Sequence, residues 1–426
     1  MNRQELRLIA SGTILIGVSY GLARFAYGLF LPGMREDVGL SATLAGFIGS
    51  GAYVGYCLAI VASALLVERL GARLVAVMAA LIAAAGMAVI SISTSPLLLA
   101  SAILLAGTST GLASPPMAQA VSRAIPEDRQ SRANTLINAG TSLGVAISGP
   151  VAFLATGQWR IAYAAFAVTA LLNAGLLLIS VPRARAFEQQ DDAATRGPLS
   201  SRDTLWRPRA LKVVLAAVGM GTASAAYWTF SSEAVLTMGR FDQATANIVW
   251  ILIGVAGLAG GLAGDLVERL GVNVVHRGAL AALALSLCLL AMMPASLPAV
   301  LVSAALFGAA YIMLTGVYLV WGIRLYADRP AIGLGLPFLM IAVGQIIGSP
   351  LAGYLIGSQG YVFCFIAFAS IAMATMLLGY RRAGDAERSV PEHASVSTQE
   401  APLARFYMPA MPPLAFIEKR RKRSKG

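Results

Sequence analysis

The chain has 426 residues, 58% of them hydrophobic and 12% charged, with a mean hydropathy of +0.73. A water-soluble domain cannot hide that much apolar surface, so lipid must solvate most of it. The formal net charge of +12 would suit nucleic acid, unless it collects beside a membrane.

Apolar stretches long enough to cross ~30 Å of hydrocarbon fall at 7–31, 42–67, 74–94, 97–122, 133–157, 161–181, 211–237, 245–267, 274–294, 297–323, 332–357 and 361–380. The first is kept as a span and not a signal peptide, because polar residues interrupt it and no small-residue cleavage site closes it. Twelve spans place both termini on one side. Arg35, Arg160 and Arg240 then fall on the opposite side, Arg24 lies within a span, and the other Lys and Arg collect beside the termini. That asymmetry predicts cytoplasmic termini and accounts for the basic balance without nucleic acid. Cys57, Cys288 and Cys364 sit far apart in separate apolar runs, as small packing side chains do, with neither disulfide nor metal spacing.

Residues 182–210 are charged and contain Pro182, Pro198 and Pro208, which reads as a cytoplasmic linker between an N-terminal bundle (1–181) and a C-terminal one (211–380). Residues 381–426 mix Pro, Ser, Glu and Arg and end in a run of basic residues, the pattern of a tail with little order. That run either meets anionic lipid headgroups or is a solvated end obeying the charge rule.

The hexapeptide Leu66-Val67-Glu68-Arg69-Leu70-Gly71 recurs unchanged as Leu266-Val267-Glu268-Arg269-Leu270-Gly271. The same offset of two hundred pairs Gly21 with Gly221, Tyr27 with Tyr227, Gly144 with Gly344, Pro150 with Pro350 and Gly157 with Gly357. An identical hexapeptide on the same side of two halves predicts a duplicated, all-α membrane protein of two parallel six-helix bundles.

On these residues the chain resembles the major facilitator superfamily of secondary transporters over residues 1 to about 380. The family's loop motif, Gly-x-Leu-Ala-Asp-Arg-x-Gly-Arg-Arg, is matched by 64–73, with Ala64 for the first Gly and Glu68 for the Asp. The second copy keeps Gly264 and 268–271 but has Val272 and Asn273 at the later basic positions. Helix 5 is similar to the family's antiporter motif at Gly140, Gly144, Gly149 and Pro150, yet Phe153 and Leu154 stand where paired glycines are expected. The Arg-x-x-Gln-Gly motif of proton-coupled efflux members is absent, with Ile103 and Ala106 before Gly107. Gly71 and Gly271 suit tight turns. Glu68, Arg69, Arg73, Asp265, Glu268 and Arg269 either form a cytoplasmic latch with those turns, made and broken in each cycle, or merely mark the membrane boundary.

The resemblance implies that helices 1, 4, 7 and 10 line a central cavity. On helix 1, Tyr20, Arg24 and Tyr27 are spaced to share one α-helical face. A charge within a span points into a cavity or snorkels to the interface; the cavity is the expectation for Arg24. Ser224, Tyr227 and Trp228 on helix 7, Tyr311, Thr315 and Tyr318 on helix 10, Gln119 on helix 4 and Asn138 on helix 5 complete the expected lining, with Gln345 on helix 11 a further polar residue. None of the twenty acidic residues falls well inside a span, and Glu233 ends helix 7. One buried cation among tyrosines suits a carboxylate-like solute, moved by alternating access across a bacterial cytoplasmic membrane, with protons as the coupling ion if there is one. Efflux of neutral amphipathic compounds, or a receptor that moves nothing, are the other readings. Two histidines and no nucleophile or phosphate-loop motif argue against an enzyme; no cofactor or metal is expected.

Overall fold

The structure is a computed structural model, and it describes residues 2–183, 210–326 and 330–380. The expected linker lies outside the described residues except at its ends, and the expected tail lies wholly outside them.

The first helix, α1, runs Arg3–Val38, longer at both ends than hydropathy indicates. Asn2 and Glu5 form a reciprocal cap that starts it early, with Glu5 N–H donating to Asn2 Oδ1 at 2.7 Å. Gly39, in the left-handed region, stops it. The helical run Ala42–Ser91 breaks at Gly71, giving α2 (42–70) and α3 (72–91). Then follow α4 Pro96–Ala124, α5 Glu127–Leu154, α6 Trp159–Ser180, α7 Ala210–Thr237, α8 Gln243–Leu270, α9 Val272–Met292 and α10 Leu297–Leu325. Asp242 caps α8 by accepting from the Thr245 backbone at 2.9 Å and its hydroxyl at 2.7 Å; these bonds hold its carboxyl below the usual range.

Among the described residues, eleven helices are long and apolar enough to cross a membrane, the last being Ile332–Thr375 with 44 residues. At the helical rise that is roughly 66 Å, twice a bilayer core. Gly360, at φ 86°, ends one rod and starts the next. Cys364 Sγ approaches the Ala352 carbonyl at 3.6 Å, where a straight helix would part them by about 18 Å. We therefore number α11 as 330–359 and α12 as 361–375, which recovers twelve.

The two hexapeptide copies share one fate. Gly71 and Gly271 take nearly the same positive-φ conformation, 80° and 84°, which an L side chain would strain. In both copies the Val is buried and the Glu and Arg are exposed. The duplication extends to packing. A Cβ on Gly144 in α5 would overlap the Gly17 carbonyl of α1, and one on Gly344 in α11 would overlap the Val218 carbonyl of α7. Only hydrogen side chains let these backbones touch. Leu97, Leu154 and Leu377 point outward, each more than four-fifths exposed, a placement that only a lipid environment favours.

Gly144→Val should force α1 and α5 apart, costing about 1–3 kcal/mol and lowering the detergent-solubilised melting temperature. Gly264→Ala, with nothing within 4 Å of the new Cβ, should melt no lower than wild type.

Candidate functional site

Between Gly17 and Phe25, α1 leaves α-helical geometry for a nine-residue π segment. Its i→i+5 bonding widens the turn by roughly one residue. Tyr20 and Arg24 keep a common side, but the added residue swings Tyr27 away. The Tyr27 hydroxyl instead donates to the Ala45 carbonyl of α2 at 2.8 Å. The expected Tyr20–Arg24–Tyr27 face is corrected to Tyr20 and Arg24 alone.

Arg24 does not snorkel: it is only 7% exposed. Its Nη2 donates to Gln345 Oε1 on α11 at 3.0 Å, so the bond crosses from one half to the other. Gln345 Nε2 in turn donates to Tyr311 Oη at 3.1 Å and to Ser224 Oγ at 3.3 Å. The guanidinium carbon stands 4.2 Å from the ring centre of Tyr53, 5.0 Å from Phe25, 5.1 Å from Tyr56 and 5.7 Å from Tyr20. Ring faces carry negative potential, which compensates a buried cation in part. Phe25 stacks on Trp228 of α7 at 4.0 Å, and Tyr311 meets Trp228 edge-on at 5.1 Å.

This cluster closes one end of a cavity of about 650 Å³, mouth included, that Asn138, Thr141, Thr315, Phe338 and Ile341 also line. Of the expected site residues, Tyr20, Arg24, Tyr311, Thr315 and Asn138 face that space, and Ser224 and Trp228 stand behind it. Three others lie elsewhere. Tyr227 stacks on Phe307 at 4.0 Å and bonds Ser303 at 2.9 Å within the C-terminal half. Tyr318 is buried against His276 and Trp321. Gln119 lines no part of the cavity, and its side-chain oxygen is buried. Tyr53 and Tyr56 on α2 were not foreseen; their i, i+3 spacing was the available signal.

Because α5 begins and α10 ends on the terminus-bearing side, Asn138 and Thr315 put the cavity mouth there. The halves meet at the opposite face. There Arg35 of α1 pairs with Glu233 of α7. A Cβ on Gly28 would overlap the Trp228 carbonyl, and one on Gly46 of α2 would overlap the Ser349 carbonyl of α11. A Cβ on Gly254 of α8 would overlap the backbone of Ala146 of α5. At the terminus-bearing end, by contrast, the N-terminal half packs a core of its own, including Leu8, Leu15, Val75, Val121 and Leu177. In the loop motif, Arg73 Nε donates to the Val181 carbonyl at 2.5 Å, a contact within one half, while Glu68, Arg69, Glu268, Arg269 and Asp265 face outward.

The family model of the Major Facilitator Superfamily matches residues 13–336. The chain belongs to the major facilitator superfamily. It is an integral membrane transporter of that superfamily. Solved structures agree on the fold. The nucleoside transporter NupG superposes with a TM-score of 0.72 at 14% identity, over 89% of this chain and 100% of that one. A bacterial homologue of the human lysosomal transporter Spinster, inward-facing and occupied, gives 0.69 at 12%, over 89% and 96%. The partially occluded inward-open xylose transporter XylE from E. coli gives 0.68 at 16%, over 88% and 97%. No curated protein sequence matches the chain.

The closed face gives a direct test of the transporter's cycle. A Cβ on Gly357 would lie 3.7 Å from Thr43 Oγ1, within disulfide reach. With Cys57, Cys288 and Cys364 replaced by Ala, oxidising a Thr43→Cys/Gly357→Cys pair should stop solute flux into proteoliposomes, and reduction should restore it.

Proposed function

We propose that the transporter carries small organic solutes bearing a carboxylate-like anionic group across a bacterial cytoplasmic membrane, with both termini cytoplasmic. Residues 1–181 and 211–380 are then the two rocking halves, 182–210 the cytoplasmic linker and 381–426 a basic cytoplasmic tail. On this reading the cavity faces the cytoplasm.

The observation that carries the proposal is the charge of the cavity wall. Among the described residues eleven line the cavity, and of these Arg24 alone is ionised at neutral pH and none is acidic. A guanidinium held in an apolar cage attracts an anion more strongly than the same group in water, because the local dielectric is low. Its planar fork also suits a carboxylate better than a point charge would. In proteoliposomes, Arg24→Ala should abolish uptake of organic acids, and Arg24→Lys should raise KM with a smaller change in kcat. Acid uptake unchanged in Arg24→Ala would end this reading in favour of neutral amphipathic solutes, which the apolar walls of Phe25, Ile312, Phe338 and Ile341 would suit.

We assign proton coupling to Glu233. Its carboxylate joins the halves through Arg35 at the closed face, and neutralising it would remove that tie just when the face must part. Glu233→Gln should abolish accumulation driven by a pH gradient while leaving solute exchange at equal pH. Loss of both activities would show a structural pair instead.

A further inference from the structure

We propose that Gln345 is a positioning residue that turns Tyr311 into a hydrogen-bond donor, so that Arg24 and Tyr311 grip one carboxylate from opposite halves. The inference rests on the anionic-solute reading and deepens it to carboxylates on a flat, apolar body.

The two ends of the Gln345 amide differ chemically, one accepting and the other donating. A guanidinium only donates hydrogen bonds, so the end facing Arg24 must be the carbonyl oxygen. The other anchor agrees. Ser224 spends its proton on the Gly221 carbonyl at 3.0 Å, leaving lone pairs toward Gln345. Gln345 Nε2 therefore donates to Tyr311 Oη, and the Tyr311 proton is not consumed by that bond. Among the described residues no acceptor receives it, and Tyr311 lines the cavity. Arg24 Nε is likewise buried without a partner beside the same space. Two donors without an acceptor, one from α1 and one from α10, thus belong to side chains that line the same cavity.

A group able to use both must accept on two atoms and carry charge, which describes a carboxylate. A neutral amide accepts on one atom and sets its own N–H groups against donors. The walls supply the rest of the selection. Tyr20, Phe25, Tyr56 and Phe338 present rings, with Ile312 and Ile341 beside them, and such walls favour a planar apolar body. A bound carboxylate would span α1 and α10 directly, so binding itself would tie the halves together at the closed end of the cavity.

The experiment compares benzoate with benzamide, which share a ring and differ in the charged acceptor. Each is titrated against the purified full-length protein, with affinity read from ligand-dependent thermal stabilisation. Wild type should prefer benzoate by about a hundredfold, and Tyr311→Phe, which keeps the ring packing, should cut that preference about tenfold. Gln345→Glu should abolish the preference even though Arg24 is intact, because the new carboxylate occupies Arg24 and accepts the Tyr311 proton. Benzamide binding should persist in both variants, which separates this outcome from misfolding. A benzoate preference kept in Gln345→Glu, or left undiminished in Tyr311→Phe, would overturn the role given to Gln345, while the anionic-solute reading would still stand on Arg24→Ala. No benzoate binding by the wild type would overturn both.

Discussion

A guanidinium has been placed where hydrocarbon would otherwise fill the membrane, and the centre of this molecule is organised around making that tolerable. An ionised side chain loses several kcal/mol of hydration on such a transfer unless other groups replace the water. Around Arg24 the replacement comes from both halves: a Gln345 oxygen across the interface and four aromatic rings from α1 and α2. Among the described residues, Arg24 Nε remains without a hydrogen-bond partner. The site is thus short of an acceptor, which is a useful condition for a binding site.

The backbone around the charge is arranged to the same end. The π segment of α1 places Tyr20 and Arg24 together while Gly17 and Gly21, inside that segment, lie directly on α5. Wider turns leave weaker backbone bonding and are usually kept where function requires the altered register. The corresponding stretch of α7 is regular α-helix, so the two halves share their packing and turns but not this distortion. The half that carries the cation is the half that deviates.

Closure at one face and a mouth at the other follow from where small residues and charges fall. Gly28, Gly46 and Gly254 allow backbone contact between halves on the face away from the termini, with Arg35 and Glu233 tying it. On the terminus-bearing side the loop motifs present their charges outward and Arg73 is engaged within its own half.

Residues one after another along the chain were enough to fix the spans, the duplication, the glycine turns at 71 and 271 and the special status of Arg24. These depend on local quantities: apolar length against bilayer thickness, positive φ without strain, and the cost of a charge in lipid. Which tyrosines reach the cavity depended on more. Tyr27 was diverted by a helical register that no hydropathy pattern encodes, Tyr227 and Tyr318 were claimed by packing inside their own half, and α2, a helix not expected at the site, brings Tyr56 to the cavity and Tyr53 to the Arg24 guanidinium. The partner of Arg24 lies 321 positions away. Only the folded arrangement of α1 against α11 brings that amide to the guanidinium, because pairing across an interface is set by the geometry of both sides at once.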